Sequence, residues 1–280
     1  MNRENRFLLE FDKERAQVVH LDYLKSEKFS KDKFYSDSDS FLIILDGVIL
    51  NKRELLADSQ FDDWEVYLTN HLQDFRSITF AHFIGSFWGV IIDKSSGESI
   101  VFGDQIGSKQ VFYTSSKHVL IVSTNSARLT GYLKNHDTLR STLNEQAAYF
   151  LLSFGYVIED FTMVQEIARL QPGCYLKDAP GKHALPSRYH TFVKEAKVMS
   201  DEEAIEGIDF HFRNAVKRAF EKDKEYNYRH LVALSGGFDS RMTTSVAHEM
   251  GYTDQANITF SQTGYPVSYT HLTLPTTSRV

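Results

Sequence analysis

Cysteine is almost absent from this chain. Its 280 residues hold one, Cys174, which excludes an intrachain disulfide and any cysteine-rich zinc site. That scarcity fits a reducing compartment, and a cytoplasmic location is expected. No apolar run approaches the roughly 18 residues of a membrane span. The polar, charged segment Met1–Arg6 lacks the apolar stretch of a signal peptide. A basic surface is missing too. The net charge is −6, so no nucleic-acid partner and no membrane are expected. The stretches Lys25–Lys33 and Arg218–Lys224 interleave bases with acids and read as solvated faces. No internal repeat or low-complexity segment is evident.

What is present suffices for packed cores. A hydrophobic share of 42%, with 13% aromatic, is far from a disordered composition. The length suits about two domains. Short apolar runs at Phe41–Leu45, Val48–Asn51, Ser86–Ile92, Ser99–Gly103, Val111–Thr114 and Leu120–Ser123 are separated by turns such as Lys94-Ser95-Ser96-Gly97. That is the pattern of a meandering antiparallel sheet. Helical spacing is found over Trp64–Phe75 and Asn144–Ser153. His71, within the first, reads as a histidine at the edge of a core. The class implied is α+β.

The pattern changes near residue 195. Ser200-Asp201-Glu202-Glu203 is a capping box opening a helix to about Lys222. Ala204, Ile205, Ile208, Phe212, Ala215, Val216, Ala219 and Phe220 form its apolar stripe, flanked by His211. Leu231–Leu234 then reads as a buried strand, followed by the loop Ser235-Gly236-Gly237-Phe238-Asp239-Ser240, a helix from Asp239 to Met250, and a strand Asn257–Phe260. This is a βαβ unit of a doubly wound α/β sheet. Glycines that let backbone amides approach a ligand, at the positive end of a helix, make an anion site. The loop is not a Walker A motif, because no Gly-Lys-Ser/Thr follows the glycines.

Ser-Gly-Gly-x-Asp-Ser after a hydrophobic strand resembles the pyrophosphate loop of the ATP pyrophosphatase superfamily. The resemblance implies ATP and Mg²⁺. Ser235, Gly236, Gly237 and Ser240 would hold the phosphates and Asp239 the loop or the metal. Leu234, Ser261 and Gln262 would lie against adenosine. Arg241 reads as an exposed helix arginine.

Upstream segments extend the resemblance. Asp46-Gly47-Val48-Ile49-Leu50-Asn51-Lys52-Arg53-Glu54-Leu55 is similar to the Asn-Gly-Glu-Ile-Tyr-Asn…Glu-Leu segment of class II glutamine amidotransferase domains. The strand Phe83–Asp93, the segment Gly103-Asp104-Gln105-Ile106-Gly107 through Tyr113, and the turn Leu170-Gln171-Pro172-Gly173 follow in that family's order. The set resembles asparagine synthase (glutamine-hydrolysing) and its relatives, β-lactam synthetases among them. It implies an αββα amidotransferase-like sandwich over 1–195 and the start of a doubly wound ATP-pyrophosphatase domain over 196–266. The implied partners are a small-molecule carboxylate and an amine or ammonia, and the family admits a homodimer.

The departures matter as much. The family's nucleophile is an N-terminal cysteine; here the chain begins Met1-Asn2-Arg3, and an Asn2 amide is not a nucleophile. Asp46-Gly47-Val48 replaces the family's Asn-Gly-Glu, placing a carboxylate where an oxyanion-hole amide would serve. Asp63 stands where an acidic glutamine-binding residue is expected, yet no Arg-His-Arg-Gly-Pro segment is found. Asp46, Gly47 and Asp63 are therefore read as a vestigial glutamine site with no catalytic residue. Cys174 reads as a buried structural thiol. Finally, Val267 to Thr276 resembles the translation of a transposase-type sequencing adapter, so 267–280 is expected to be a non-native tail on a fragment. Three readings stay open: an amide-forming synthetase, a lactam- or other amide-forming paralogue, and a non-catalytic interaction protein.

Overall fold

A strand with side chains alternating between faces can feed two cores at once, and the first part of the chain is built on that. In the computed structural model, which describes residues 7–75, 77–136, 141–194, 197–235 and 237–259, the chain divides into units Met1–Val193 and Lys194–Val280. The first unit begins β1 (Phe7–Asp12), β2 (Gln17–Tyr23), β3 (Phe34–Asp37), β4 (Phe41–Ile49), α1 (Lys52–Ala57) and α2 (Trp64–Leu72). A 3-10 turn (Thr79–His82), β5 (Gly85–Asp93), β6 (Ser99–Gly103), β7 (Phe112–Ser115) and β8 (Val119–Ser123) follow. Then come α3 (Ser126–His136), α4 (Glu145–Phe154), β9 (Ala168–Arg169), β10 (Cys174–Asp178) and β11 (Leu185–Arg188).

The strands form two antiparallel sheets, ordered β2-β1-β8-β7-β9 and β11-β10-β6-β5-β4-β3. Between them, Phe7, Leu9 and Phe11 of β1 meet Leu42 and Ile44 of β4, Val90 of β5 and Val122 of β8. The alternate residues Ile43 and Leu45 of β4, Phe87 of β5 and Phe102 of β6 pack outward against Trp64, Tyr67 and Leu68 of α2. Leu129 and Leu133 of α3 cover Phe112 and Ile121 on the other sheet. The layers are therefore helix, sheet, sheet, helix, an α+β fold. Each such large side chain contributes about 1.5–3 kcal/mol by burial.

Phe41–Leu45 and Val48–Asn51, expected as separate strands, are one strand, β4, running straight through Asp46 and Gly47. Gly47 makes this work. Its φ is +143°, and a Cβ there would lie 2.2 Å from the Ser86 carbonyl oxygen. It marks close cross-strand approach to β5 rather than a break. β1 is joined to the far end of the unit by Lys13, whose Nζ lies 2.8 Å from the Asp178 carboxylate, both side chains fully buried.

The second unit holds α5 (Asp201–Glu225), β12 (His230–Ala233), α6 (Phe238–Glu249) and β13 (Gln255–Ile258). The capping box is formed at Ser200, which accepts from the Glu203 amide and donates its own amide to the Glu203 carboxylate. β12 and β13 pair in parallel across α6. Val216 and Phe220 pack with Val232, Val246, Ala247 and Tyr252. The stripe's earlier members, Ile205 and Ile208, are 65% and 69% exposed, and His211 is exposed as well. Phe260 and the tail from Val267 lie outside the described residues. Among the described residues, no helix is long and apolar enough to cross a membrane.

Candidate functional site

Two places collect the polar residues singled out above, one in each unit. In the first, β4 carries Asp46 into the interior, and its carboxylate is almost wholly buried. A lone buried carboxylate is costly, so it needs partners. Lys33 Nζ lies 3.3 Å from Asp46 Oδ1, and Tyr23 donates its hydroxyl to Oδ2 at 3.0 Å. Lys33 also donates to Ser26 Oγ at 2.5 Å, so its ammonium is held on two sides. Burial pushes the Lys33 pKa down from its ordinary value, Asp46 pulls it back up, and the nearby charges of Lys109 and Lys25 push it down again. Burial and then Asp46 push the Tyr23 hydroxyl well above the ordinary phenol range. Tyr23 therefore stays a donor at any physiological pH.

This corrects one expectation. Lys25–Lys33 is not a solvated face throughout, because Asp32 and Lys33 at its end are buried. Asp32 accepts the Ile49 amide at 2.9 Å, which ties the segment to the end of β4. Lys222 departs likewise from the solvated face expected over Arg218–Lys224, being buried against Glu225.

A cavity of about 280 Å³ opens over Asp46 and Gly47, lined also by Ser26, Lys28, Phe29, Lys33, Val48, Ser86 and Lys109. Lys109 is delivered by the Gly103–Tyr113 segment. There the buried Asp104 carboxylate accepts the amides of Ile106 at 3.1 Å and Ser108 at 3.0 Å, and the Ser108 hydroxyl at 2.5 Å. The Pro172 turn locks that segment, since the Gly173 amide donates to the Asp104 carbonyl at 3.0 Å. Asp63 is not in the cavity lining. It is the N-cap of α2, accepting the Val66 amide at 2.9 Å. His71 stacks on Tyr67 at 4.2 Å and contacts its carbonyl, a packed position at the core's edge.

Cys174 starts β10 and is buried. Burial pushes its thiol pKa up, with Arg188 pulling weakly the other way. The cavity beside it is lined by Tyr113, Asp160, Arg169, Gln171, Pro186 and Arg188, with no histidine to act as base. A thiolate is the reactive species, so this environment makes a poor nucleophile.

In the second unit, β12 leads into Leu234, whose amide continues the pairing to Ile258 at 2.7 Å. The loop then folds on its serines. Ser240 Oγ accepts the Ser235 amide at 3.0 Å, and Ser235 Oγ accepts the Gly237 amide at 3.2 Å. Gly237 is the N-cap of α6, and Asp239, in its first turn, is exposed. Arg241 lies over the Phe238 ring, 5.8 Å from its centroid. The structure thus brings Ser235, Gly237, Asp239 and Ser240 together. Gly236, Ser261 and Gln262 lie outside the described residues.

With this geometry in view, residues 19–190 match the family of the glutamine amidotransferase domain. The chain belongs to that family. Its amidotransferase domain is what Asp46, Gly47 and the Asp104 turn are built into. Among curated proteins, Amidase chyE of Penicillium rubens is 23% identical over 229 residues, covering 78% of this chain and 32% of that protein. The chain therefore spans about a third of that relative's length. Among solved structures, the glutamine phosphoribosylpyrophosphate amidotransferase of B. subtilis, complexed with ADP and GMP, overlaps with a TM-score of 0.37 at 11% identity, covering 67% of this chain and 43% of that one. An allosteric regulatory enzyme of purine biosynthesis gives 0.37 at 12% identity, with the same coverage of 67% and 43%.

Sequence reasoning missed Ser26, Lys28, Lys33 and Lys109 as cavity residues, and Tyr23 as the hydroxyl donor to Asp46. Lys109 sits inside a motif segment whose legible positions are Asp104 and Gly107. No pattern joins Lys33 to Asp46, because only the sheet brings them together.

Proposed function

We propose that this chain is part of an ATP-dependent, amide-forming ligase resembling asparagine synthase, with an amidotransferase domain that no longer hydrolyses glutamine. The observation that carries the ligase half is the β12–loop–α6–β13 unit, which gathers Ser235, Gly237, Asp239 and Ser240 at a helix start. In the reaction so read, a substrate carboxylate oxygen attacks the α-phosphorus of ATP and pyrophosphate leaves. An amine or ammonia nitrogen then attacks the acyl carbon, the amide forms, and AMP leaves.

The loop suits the first step. Ser235 and Ser240 hydroxyls accept the loop amides; a phosphate oxygen taking that role would free both hydroxyls to donate. Catalysis of this kind is mostly positioning and charge neutralisation. Among the described residues no cluster of three or more His, Cys, Asp or Glu forms a metal site alone. Magnesium in nucleotide sites is usually held by one or two carboxylates together with the phosphates. Asp239 fits that pattern, and the ion would neutralise charge on the leaving pyrophosphate.

The amidotransferase half is read as inactive because its only thiol is buried, with an elevated pKa and no histidine in the lining of the cavity beside it. A second reading is a paralogue that closes a lactam or another amide; the likeness to a protein named an amidase supports amide chemistry only in general. The expectations of a cytoplasmic protein and a homodimer belong to both readings.

Calorimetry with Mg·ATP tests the ligase half. Binding that weakens about tenfold in Ser235→Ala/Ser240→Ala supports it, and absence of binding to the 280-residue chain would count against it. Glutamate release from glutamine that disappears in Cys174→Ala would overturn the inactive reading.

A further inference from the structure

We propose that the cavity over Asp46 and Gly47 binds a small dianion, a phosphate or a short dicarboxylate, held between Lys28 and Lys109. The argument begins with a charge count. Asp46 and Lys33 neutralise each other at 3.3 Å, so neither adds net charge to the space they line. Lys33 is further spent on Ser26 at 2.5 Å. Lys28 and Lys109 line the same cavity, and among the described residues neither has a carboxylate partner. Two positive charges thus line one small space with no carboxylate paired to either among the described residues, and a ligand carrying two negative charges restores neutrality.

The walls suit such a ligand. Ser26 and Ser86 bring hydroxyls to the cavity, and hydroxyls with ammonium groups are ordinary oxyanion donors. A volume of about 280 Å³ lies below that of pockets for drug-sized ligands, roughly 300–1,000 Å³, and admits a phosphate or a four-carbon diacid. Part of the ordering cost is already met. Asp104 fixes the turn carrying Lys109 through Ile106 and Ser108, and Lys28 Nζ stands over the Phe29 ring at 5.3 Å. Preorganisation of this kind raises affinity by lowering what binding must immobilise. Burial is the main cause of the depressed Lys33 pKa, Asp46 opposes it, and the smaller lowering by Lys109 and Lys25 agrees with a positive potential here. Among the described lining residues Asp46 is the repulsive group, and Lys33 and Tyr23 compensate it.

The inference stands apart from the ligase reading, which concerns the Ser235 loop. The test is calorimetry of the 280-residue chain with inorganic phosphate and, separately, succinate, at constant ionic strength. One or both should bind with a Kd of about 1 mM or tighter, with acetate about tenfold weaker. The double variant Lys28→Gln/Lys109→Gln should weaken binding about tenfold, with an unchanged melting temperature in the absence of ligand. Ser235→Ala/Ser240→Ala, which alters the loop proposed to take ATP phosphates, should bind succinate as the parent does. Comparing phosphate with succinate distinguishes the two sources. Equal affinity in the lysine double variant, or loss of succinate binding in the serine variant, overturns the proposal, the latter by moving the anion to the loop. Failure of both dianions to bind overturns it as well.

Discussion

The two units differ in how completely they cover their strands. β4 and β5 of the first are buried on both faces, one feeding the core between the sheets and the other the core under α2. In the second unit Val232 is buried, but its neighbour Leu231 is 59% exposed. Ile205, Ile208 and Phe210 of α5 and Phe238 and Met242 of α6 are exposed as well. Parallel strands are stable when both faces are covered, and the described part of the second unit covers one. The same contrast holds at the polar sites. Asp46 is enclosed by compensating charge, whereas Asp239 stands in the open at a helix start.

The sharpest way to test that contrast is Asp46→Asn, which installs the residue that the family resemblance places there. It leaves Lys33 buried without its carboxylate, and breaking a buried pair costs about 3–5 kcal/mol. Urea denaturation should show that loss, and a change under about 0.5 kcal/mol would mean the pair is solvated. Next comes Phe102→Ala in the first unit against Phe210→Ala in the second. The former empties a core site and should cost about 3–5 kcal/mol. The latter removes a side chain that is 63% exposed and should stay within about 0.5 kcal/mol. Equal losses would show that α5 is covered in solution by something other than the described residues.

The caps give a smaller effect that separates structure from site. Asp63→Ala and Ser200→Ala should each cost about 1 kcal/mol, the usual worth of an N-cap. If Asp63 only caps α2, its loss leaves dianion binding unchanged in calorimetry. A fall in affinity would return Asp63 to the site.

How much of this could be read beforehand follows from the range of each interaction. The runs at Ser86–Ile92 and Ser99–Gly103 alternate or cluster within themselves, so local pattern finds β5 and β6. The capping box at Ser200 is local too. β1 was missed because Glu10 interrupts its apolar pattern; Glu10 is nonetheless buried and bonded to Tyr132, far along the chain. β11 was missed because Pro186 reads as a breaker, yet it sits on an edge strand, where proline is tolerated. The motif residues Asp104, Gly107, Pro172 and Gly173 were legible as an ordered set. Their reason is spatial: they clamp one turn, and a Cβ on Gly107 would meet Pro172 at 2.9 Å. Lys33 was illegible because charge density alone cannot distinguish a solvated lysine from one facing Asp46.

The finest comparison between the units uses one tyrosine from each. Burial, then Asp160 and Cys174, push the Tyr113 hydroxyl up to about 12. Burial, then the hydrogen bond and charge of Glu221, push Tyr252 up to about 12 as well. Both are acids whose neutral form the fold favours. Each therefore contributes stability that is complete below the unfolded pKa of about 10 and is lost as pH rises towards about 12. Tyr113→Phe and Tyr252→Phe should each remove one late step from the tyrosinate absorbance titration while leaving the steps near the ordinary phenol pKa in place. If the second unit opens more readily, Tyr252 should ionise first in the parent protein, ahead of Tyr113. Coincident steps would mean that the thin core around Phe220 and Tyr252 holds as firmly as the double sheet.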